Sequence, residues 1–257
     1  MKQEIFVYFI GTAGSGKSTL TAILQQWCND RGLDAIIVNL DPGAENLPYE
    51  PNVDIRDWIS LQEVMETNKL GPNGAQIACA DMIALNTQDV KESIASFKAD
   101  YTFIDTPGQL ELFVFREAGK YTVKFLSPEN SVVCYLLDPL LAKTASGFIS
   151  QLLLAMTTNF RLNQPQINIL SKADLLSKKE QMFIQRWSSN PEEITEALCS
   201  EEASMYREIS EQILHLLKDL GGYSRLIATS KKNFFGIEDL YTDIQQLFKG
   251  GEDLLKD

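Results

Sequence analysis

The chain has 257 residues, 44% of them hydrophobic, and a formal net charge of −12. Such a length suits one large α/β domain or two small ones, with apolar content for a sizeable core. The acidic balance argues against broad electrostatic capture of nucleic acid, but a nucleotide needs only a few local donors. Cys28, Cys79, Cys134 and Cys199 are far apart with no C-x-x-C pair, which speaks against zinc and against a disulfide framework. Cys28 and Cys134 sit in apolar stretches and read as core residues. With no signal-peptide pattern ahead of the first strand and no apolar run long enough to span a membrane, the expectation is a soluble cytoplasmic protein in a reducing compartment.

The run Ile5 to Ile10 reads as a buried strand and feeds into Gly11-Thr12-Ala13-Gly14-Ser15-Gly16-Lys17-Ser18-Thr19, a complete G-x-x-x-x-G-K-[ST] loop. Leu20, Ile23, Leu24 and Trp27 then recur at helical spacing, so the order is strand, glycine loop, helix. Glycines let the backbone turn several N–H groups toward one anion, and the helix adds the positive end of its dipole. Lys17 can reach the β- and γ-phosphates and Ser18 can offer its hydroxyl to Mg²⁺.

Ala35 to Leu40 reads as a second strand ending in Asp41-Pro42-Gly43. Asp41 has two readings: a carboxylate at the ligand side of the sheet, facing Mg²⁺ or the attacking water, or a turn-former before proline. Residues 46–52 read as loop. Asp54, a fair N-cap, opens a helical pattern through Ile59, Leu61, Val64 and Met65. Gly71-Pro72-Asn73-Gly74 reads by composition as a rigid turn between helical segments, and residues 75–97 as mostly helical with a second start near Asn86 or Thr87.

Residues 100–105 form a third strand ending in Asp105, followed by Thr106-Pro107-Gly108-Gln109-Leu110-Glu111. An apolar strand ending in Asp is the Walker B pattern, whose carboxylate holds Mg²⁺. The N–H of Gly108 is placed to sense a γ-phosphate. Residues 131–138 and 166–170 read as strands four and five, with a helix from Ser146 to Phe160 between them. The fifth delivers Ser171-Lys172-Ala173-Asp174, whose carboxylate can accept N1–H and N2–H₂ of guanine while the Lys172 stem lies on the purine.

Residues 175–220 read as a helical insertion or lid beside the base pocket, broken at Pro191, with Ile209, Ile213, Leu216, Leu217 and Leu220 on one apolar face. His215 reads as a surface or boundary residue. A sixth strand at 225–228 leads into Thr229-Ser230-Lys231, which can close over the purine. A last helix from Ile237 to Phe248 carries Leu240, Ile244 and Leu247 on one face, before Gly250-Gly251 and an acidic tail. With no repeat or linker, residues 1–257 read as a single α/β P-loop domain, its mostly parallel sheet flanked by helices, with helical insertions at about 54–98 and 175–220.

These motifs, taken together and in this order, resemble the GPN-loop GTPases over nearly the whole chain. The resemblance rests on the loop from Gly11 to Ser18, Asp41-Pro42, Asp54-Ile55-Arg56-Asp57, Gly71-Pro72-Asn73, the run from Asp105 to Glu111, and Ser171-Lys172-Ala173-Asp174. With no long tail the chain looks like the short archaeal members. The resemblance implies a Mg²⁺-dependent enzyme that binds GTP and GDP, and a homodimer in which Asn73 of one subunit reaches the partner's phosphates. It further implies that Gln109, Asp41 and Glu111 orient the water, and that Asp41 joins Ser18 and Asp105 near the metal. It also suggests a second reading, a slow-hydrolysing assembly factor for a protein complex such as RNA polymerase, with no direct nucleic-acid or membrane partner. Asp174 and the Asp-Thr-Pro-Gly-Gln run disfavour a third, an ATP-using kinase or partition ATPase. Ser171 stands where the family has Asn, and Thr229 and Ser230 where it has Ser and Ala, so the amide that ties loop to base is missing.

Overall fold

The computed structural model describes residues 4–126, 129–202, 205–220 and 225–249. Its strands are β1 (Ile5–Gly11), β2 (Ala35–Asn39), β3 (Val53–Asp54), β4 (Tyr101–Asp105), β5 (Ser131–Leu137), β6 (Gln166–Leu170) and β7 (Leu226–Ala228). They form one parallel sheet in the order β3-β2-β4-β1-β5-β6-β7. β1 is buried along its whole length, as a central parallel strand covered on both faces must be. The strand order reverses around β1, so its carboxyl end opens onto the crevice where ligands of such sheets bind. Phe9 of β1 and Asn39 of β2 both register with Asp105 of β4, which brings the three following loops out at one level.

The helices are α1 (Lys17–Asn29), α2 (Leu61–Asn68), α3 (Pro72–Leu85), α4 (Thr87–Ala95), α5 (Leu110–Phe113), α6 (Glu117–Leu126), α7 (Ala145–Leu162), α8 (Lys178–Ser189), α9 (Pro191–Ser200), α10 (Met205–Asp219) and α11 (Ile237–Lys249). The pleat of β1 divides the core between the two faces of the sheet. Ile5, Val7 and Phe9 pack against Leu20, Leu24 and Trp27 of α1 and Leu240, Tyr241 and Ile244 of α11. Phe6, Tyr8 and Ile10 join the opposite layer, which gathers side chains from α2 through α10.

Several expectations change. A seventh strand, β3, adds a two-residue edge to the six expected. Asp54 does cap a turn, accepting from the Arg56 N–H, but only a short 3-10 turn follows, and α2 restarts under the Ser60 cap. Gly71-Pro72-Asn73 is not a free turn: Gly71 caps α3 and Pro72 opens it, a position where the missing proline N–H costs nothing. α5 and α6 were not expected as helices. Among the described side chains of α10 Ser210, Leu214 and Leu217 are buried, whereas Ile209 and Leu216 are exposed, as is Leu220 just after it. Leu247 of α11 is exposed too, its place in the core taken by Ile237 and Tyr241. Residues 175–220 pack into the main core through Ile184, Trp187, Ile194, Leu198, Leu214 and Leu217 rather than hanging over the site. His215 is exposed, and so is Cys199, while Cys28, Cys79 and Cys134 are buried. Gly250-Gly251 and the acidic tail lie outside the described residues. No described helix is long and apolar enough to cross a membrane.

Candidate active site

The loop after β1 folds around two left-handed glycines, Gly14 at φ 73° and Gly16 at φ 103°, conformations that a side chain would strain. A Cβ on Gly11 would sit 2.7 Å from the Leu136 carbonyl, so the loop's first glycine is fixed by the neighbouring strand. Lys17 enters α1 with its ammonium turned back into the loop. Nζ donates to the carbonyls of Gly11 (3.0 Å), Thr12 (3.1 Å) and Gly108 (2.9 Å), so all three of its donors are engaged. Burial lowers the Lys17 pKa, and the charges of Asp105 and Asp41 oppose that shift.

Asp105 is buried at the end of β4. The Tyr49 hydroxyl donates to its Oδ2 at 2.6 Å, while Oδ1 makes no hydrogen bond of sound geometry. Burial raises the Asp105 pKa, and the nearby hydroxyls of Ser18 and Tyr49 and the charge of Lys17 pull it back. A buried carboxylate oxygen left without a donor, beside a serine hydroxyl, is the chemistry of a hard divalent cation site. Among the described residues no three His, Cys, Asp or Glu side chains cluster as a metal cage. Ser18 and Asp105 are protein donors a Mg²⁺ ion would find here, with the Asp41 charge near Asp105 and with phosphate and water to complete its shell.

Asp41 lies across the cleft from Lys17. Its Oδ1 accepts from the Gly43 N–H and its Oδ2 from the Gly108 N–H, both at 2.9 Å. Asp41 thus shapes its own turn, and it lines the cavity beside the glycine loop. Buried Asn39 holds the Asp41 backbone from both sides, accepting from its N–H and donating to its carbonyl, and also donates to Asp54. Arg56 pairs with Asp54 and reaches the Ala44 carbonyl at 2.8 Å. The Asp54-Ile55-Arg56-Asp57 run thereby braces the Asp41 loop.

A cavity of about 220 Å³ opens between Ala13, Asp41, Gly43, Gln76, Gly108 and Gln109. Gln109 is exposed at its rim. Glu111, in the first turn of α5, and Asn73, in the first turn of α3, are exposed and do not line this cavity of their own chain.

On the other side of the glycine loop, a cavity of about 280 Å³ is lined by Gly16, Thr19, Leu20, Ser171, Lys172, Asp174 and Ser230 among others. Neither cavity alone reaches the size usual for a ligand of drug dimensions; one adjoins the glycine loop at Ala13 and the other at Gly16. Of the described residues between 175 and 220 only Leu175 lines the second cavity. The Ser171 hydroxyl faces the Ser15 and Leu137 carbonyls, a contact between this loop and the phosphate loop. Lys172 reaches the Gly14 carbonyl, its stem lying against Gly16. Ser230 donates to Asp174 Oδ1 at 2.7 Å and Lys232 sits 3.3 Å from Oδ2. The Ser230 hydroxyl above all, then Lys232, hold the Asp174 carboxyl below the usual range. Tyr49, Gln76 and Lys232 escaped the sequence reading because distant parts of the chain bring them in. A larger, shallow hollow of about 470 Å³ lies at the amino ends of β2 and β4, away from these loops.

Residues 9–250 match a family model described as a conserved hypothetical ATP binding protein. A GPN-loop GTPase 3 of Saccharomyces cerevisiae is 34% identical over 97% of this chain and 95% of its own length. A GPN-loop GTPase of Pyrococcus abyssi is 32% identical over 93% of this chain and 95% of its own. The chain belongs to the GPN-loop GTPase family. A crystal structure of a Pyrococcus abyssi GTPase in apo form superposes with a TM-score of 0.84, at 31% identity, over 94% of this chain and 96% of that one. Within this family fold, the loops after β1, β2 and β4 converge on one cleft.

The electrostatics of Asp105 can be tested on the free protein. Its folded pKa is raised, so in the ligand-free state its ionisation disfavours folding once pH exceeds the ordinary carboxylate value. Asp105→Asn removes that ionisation while keeping an acceptor for Tyr49. The melting temperature of the nucleotide-free variant should match wild type in acid and exceed it increasingly as pH rises to neutrality. Added Mg²⁺ and nucleotide should stabilise wild type much more than the variant. Calorimetric melts across pH check both.

Proposed function

We propose that this GPN-loop protein is a Mg²⁺-dependent GTP hydrolase that works as a homodimeric switch, with Asn73 of each subunit acting at the partner's phosphates. The observation that carries the reading is Gly108. Its carbonyl accepts from Lys17 and its N–H donates to Asp41, within the cavity beside the glycine loop. A terminal phosphate entering there offers oxygens for both the Lys17 ammonium and the Gly108 N–H. Hydrolysis removes that phosphate, and the Gly108 N–H returns to Asp41. That exchange makes the loop a reporter of the nucleotide state.

Phosphoryl transfer needs donors for developing charge and an oriented water. Lys17 and the loop N–H groups supply donors. Released from Gly108, Asp41 Oδ2 becomes free to accept a hydrogen bond from water, with the Gln109 amide beside it. Ser18 and Asp105 hold the cation, which when bound neutralises charge on the β- and γ-phosphates. Asn73 and Glu111, exposed and not lining the cavity of their own chain, are available to a second copy. Exposed Leu70 and Ile77 on either side of Gly71-Pro72-Asn73 support a covered face there.

For the base, Asp174 favours guanine. Guanine presents N1–H and N2–H₂ to a carboxylate, whereas adenine presents an acceptor N1 and a C–H. Ser230 and Lys232 now occupy the carboxylate oxygens, and the exposed Lys232 can swing away at little cost. Asp174→Asn should weaken GTP binding at least about tenfold, the scale of a lost charge-assisted pair, and improve relative binding of xanthosine triphosphate, whose O2 accepts where guanine donates. Calorimetric titration with GTP, ATP and xanthosine triphosphate reads this, and wild-type preference for ATP would overturn the base assignment. Asn73→Ala should leave GTP affinity intact and lower kcat about tenfold or more, the order for a transition-state donor. Mixing it with an inactive Lys17→Ala subunit should restore turnover at one site per dimer if Asn73 acts across the interface.

A further inference from the structure

Gln76 has no role in the reading above. It lies on α3, one turn after Asn73, half-buried, and lines the cavity with Asp41, Gly43, Gly108 and Gln109. Its Nε2 is 3.8 Å from the point a Cβ on Gly43 would occupy, and Asp41 Oδ1 is 3.4 Å from the same point. The missing side chain at residue 43 is what lets amide and carboxylate share this corner. Asp41 is already engaged by two backbone N–H groups and Lys17 by three carbonyls. The Gln76 amide has no hydrogen-bond partner among the described residues. Its backbone is nonetheless firmly held: Ala75, Cys79 and Ile83 of α3 are core residues, and Asp81 pairs with Arg116.

A half-buried amide fixed on a helix, lining a cavity with Asp41 and Gly108 and left without a partner among the described residues, is a donor awaiting a ligand. The cavity is lined by Gly108, whose carbonyl Lys17 holds, and by Asp41, which holds the Gly108 N–H. We propose that Gln76 contacts the terminal phosphate directly, its Nε2–H donating to a γ-phosphate oxygen from within the same subunit, so that it distinguishes tri- from diphosphate. The inference rests on the cleft being a GTP site. A diphosphate ends short of this corner, and Gln76 then has nothing to donate to. A hydrogen bond to a charged oxygen is stronger than one between neutral groups, so its loss should weaken triphosphate binding about tenfold.

The test uses the full-length chain with Mg²⁺, titrated calorimetrically with GDP and with the slowly hydrolysed analogue GTPγS, for wild type, Gln76→Leu and Gln76→Glu. Gln76→Leu should keep GDP affinity within about twofold, weaken GTPγS about tenfold and lower kcat, with an unchanged melting temperature. Gln76→Glu should weaken GTPγS further, by opposing a second negative charge to the phosphate, and again spare GDP. Equal effects on GDP and GTPγS, or none on either, would overturn the role of Gln76 while leaving the GTPase reading intact. Wild-type protein that binds neither nucleotide would sink that reading and the inference with it.

Discussion

Gly108 is gripped from two sides, and the rest of the site depends on that grip. Lys17 of the first loop holds its carbonyl at 2.9 Å and Asp41 of the second holds its N–H at the same distance. Three loops from three strands are thereby tied at one residue. The tie is possible because β1, β2 and β4 are in register, with Phe9, Asp105 and Asn39 at one level of the sheet. It also solves an electrostatic problem. An ammonium as buried as that of Lys17 loses its water, and three carbonyl dipoles with two nearby carboxylates replace it. A phosphate would substitute for these oxygens with a full charge.

The base side and the phosphate side follow the same physical pattern. At the base end Asp174 is satisfied by Ser230 and Lys232, and at the phosphate end Lys17 and Gly108 are satisfied by the chain itself. Internal partners keep polar groups paired until a ligand with better complementarity replaces them. Ser171 joins the two ends, since its hydroxyl reaches the Ser15 carbonyl across the glycine loop. Among the described residues, Asp105 Oδ1, the Ser15 hydroxyl and the amide of Gln76 stand outside the pattern.

Much of this was legible in the sequence, for physical reasons that differ from element to element. The Gly11 to Thr19 loop is fixed by backbone demands that few residue types meet, so its identity and its strand-loop-helix context can be read directly. The central strands are apolar runs because they are covered on both faces. β3 could not be read, because two residues carry no periodicity. α10 misled because its exposed face also carries Ile209 and Leu216, with Leu220 just after it, so hydrophobic spacing alone did not choose the buried stripe. Pro72 at the first position of α3 was a readable helix start that composition made look like a turn. Tyr49, Gln76 and Lys232 reach the site only through tertiary packing, and no local pattern marks them.

The most direct test of the central claim follows the Gly108 amide itself by nitrogen-15 NMR, with the glycine resonances assigned, while Mg²⁺ and either GDP or GTPγS are added. If a terminal phosphate takes over the N–H that Asp41 now holds, the Gly108 resonance moves strongly with GTPγS and stays near its free position with GDP. A Gly108 signal that responds alike to both nucleotides, or to neither, would contradict the account.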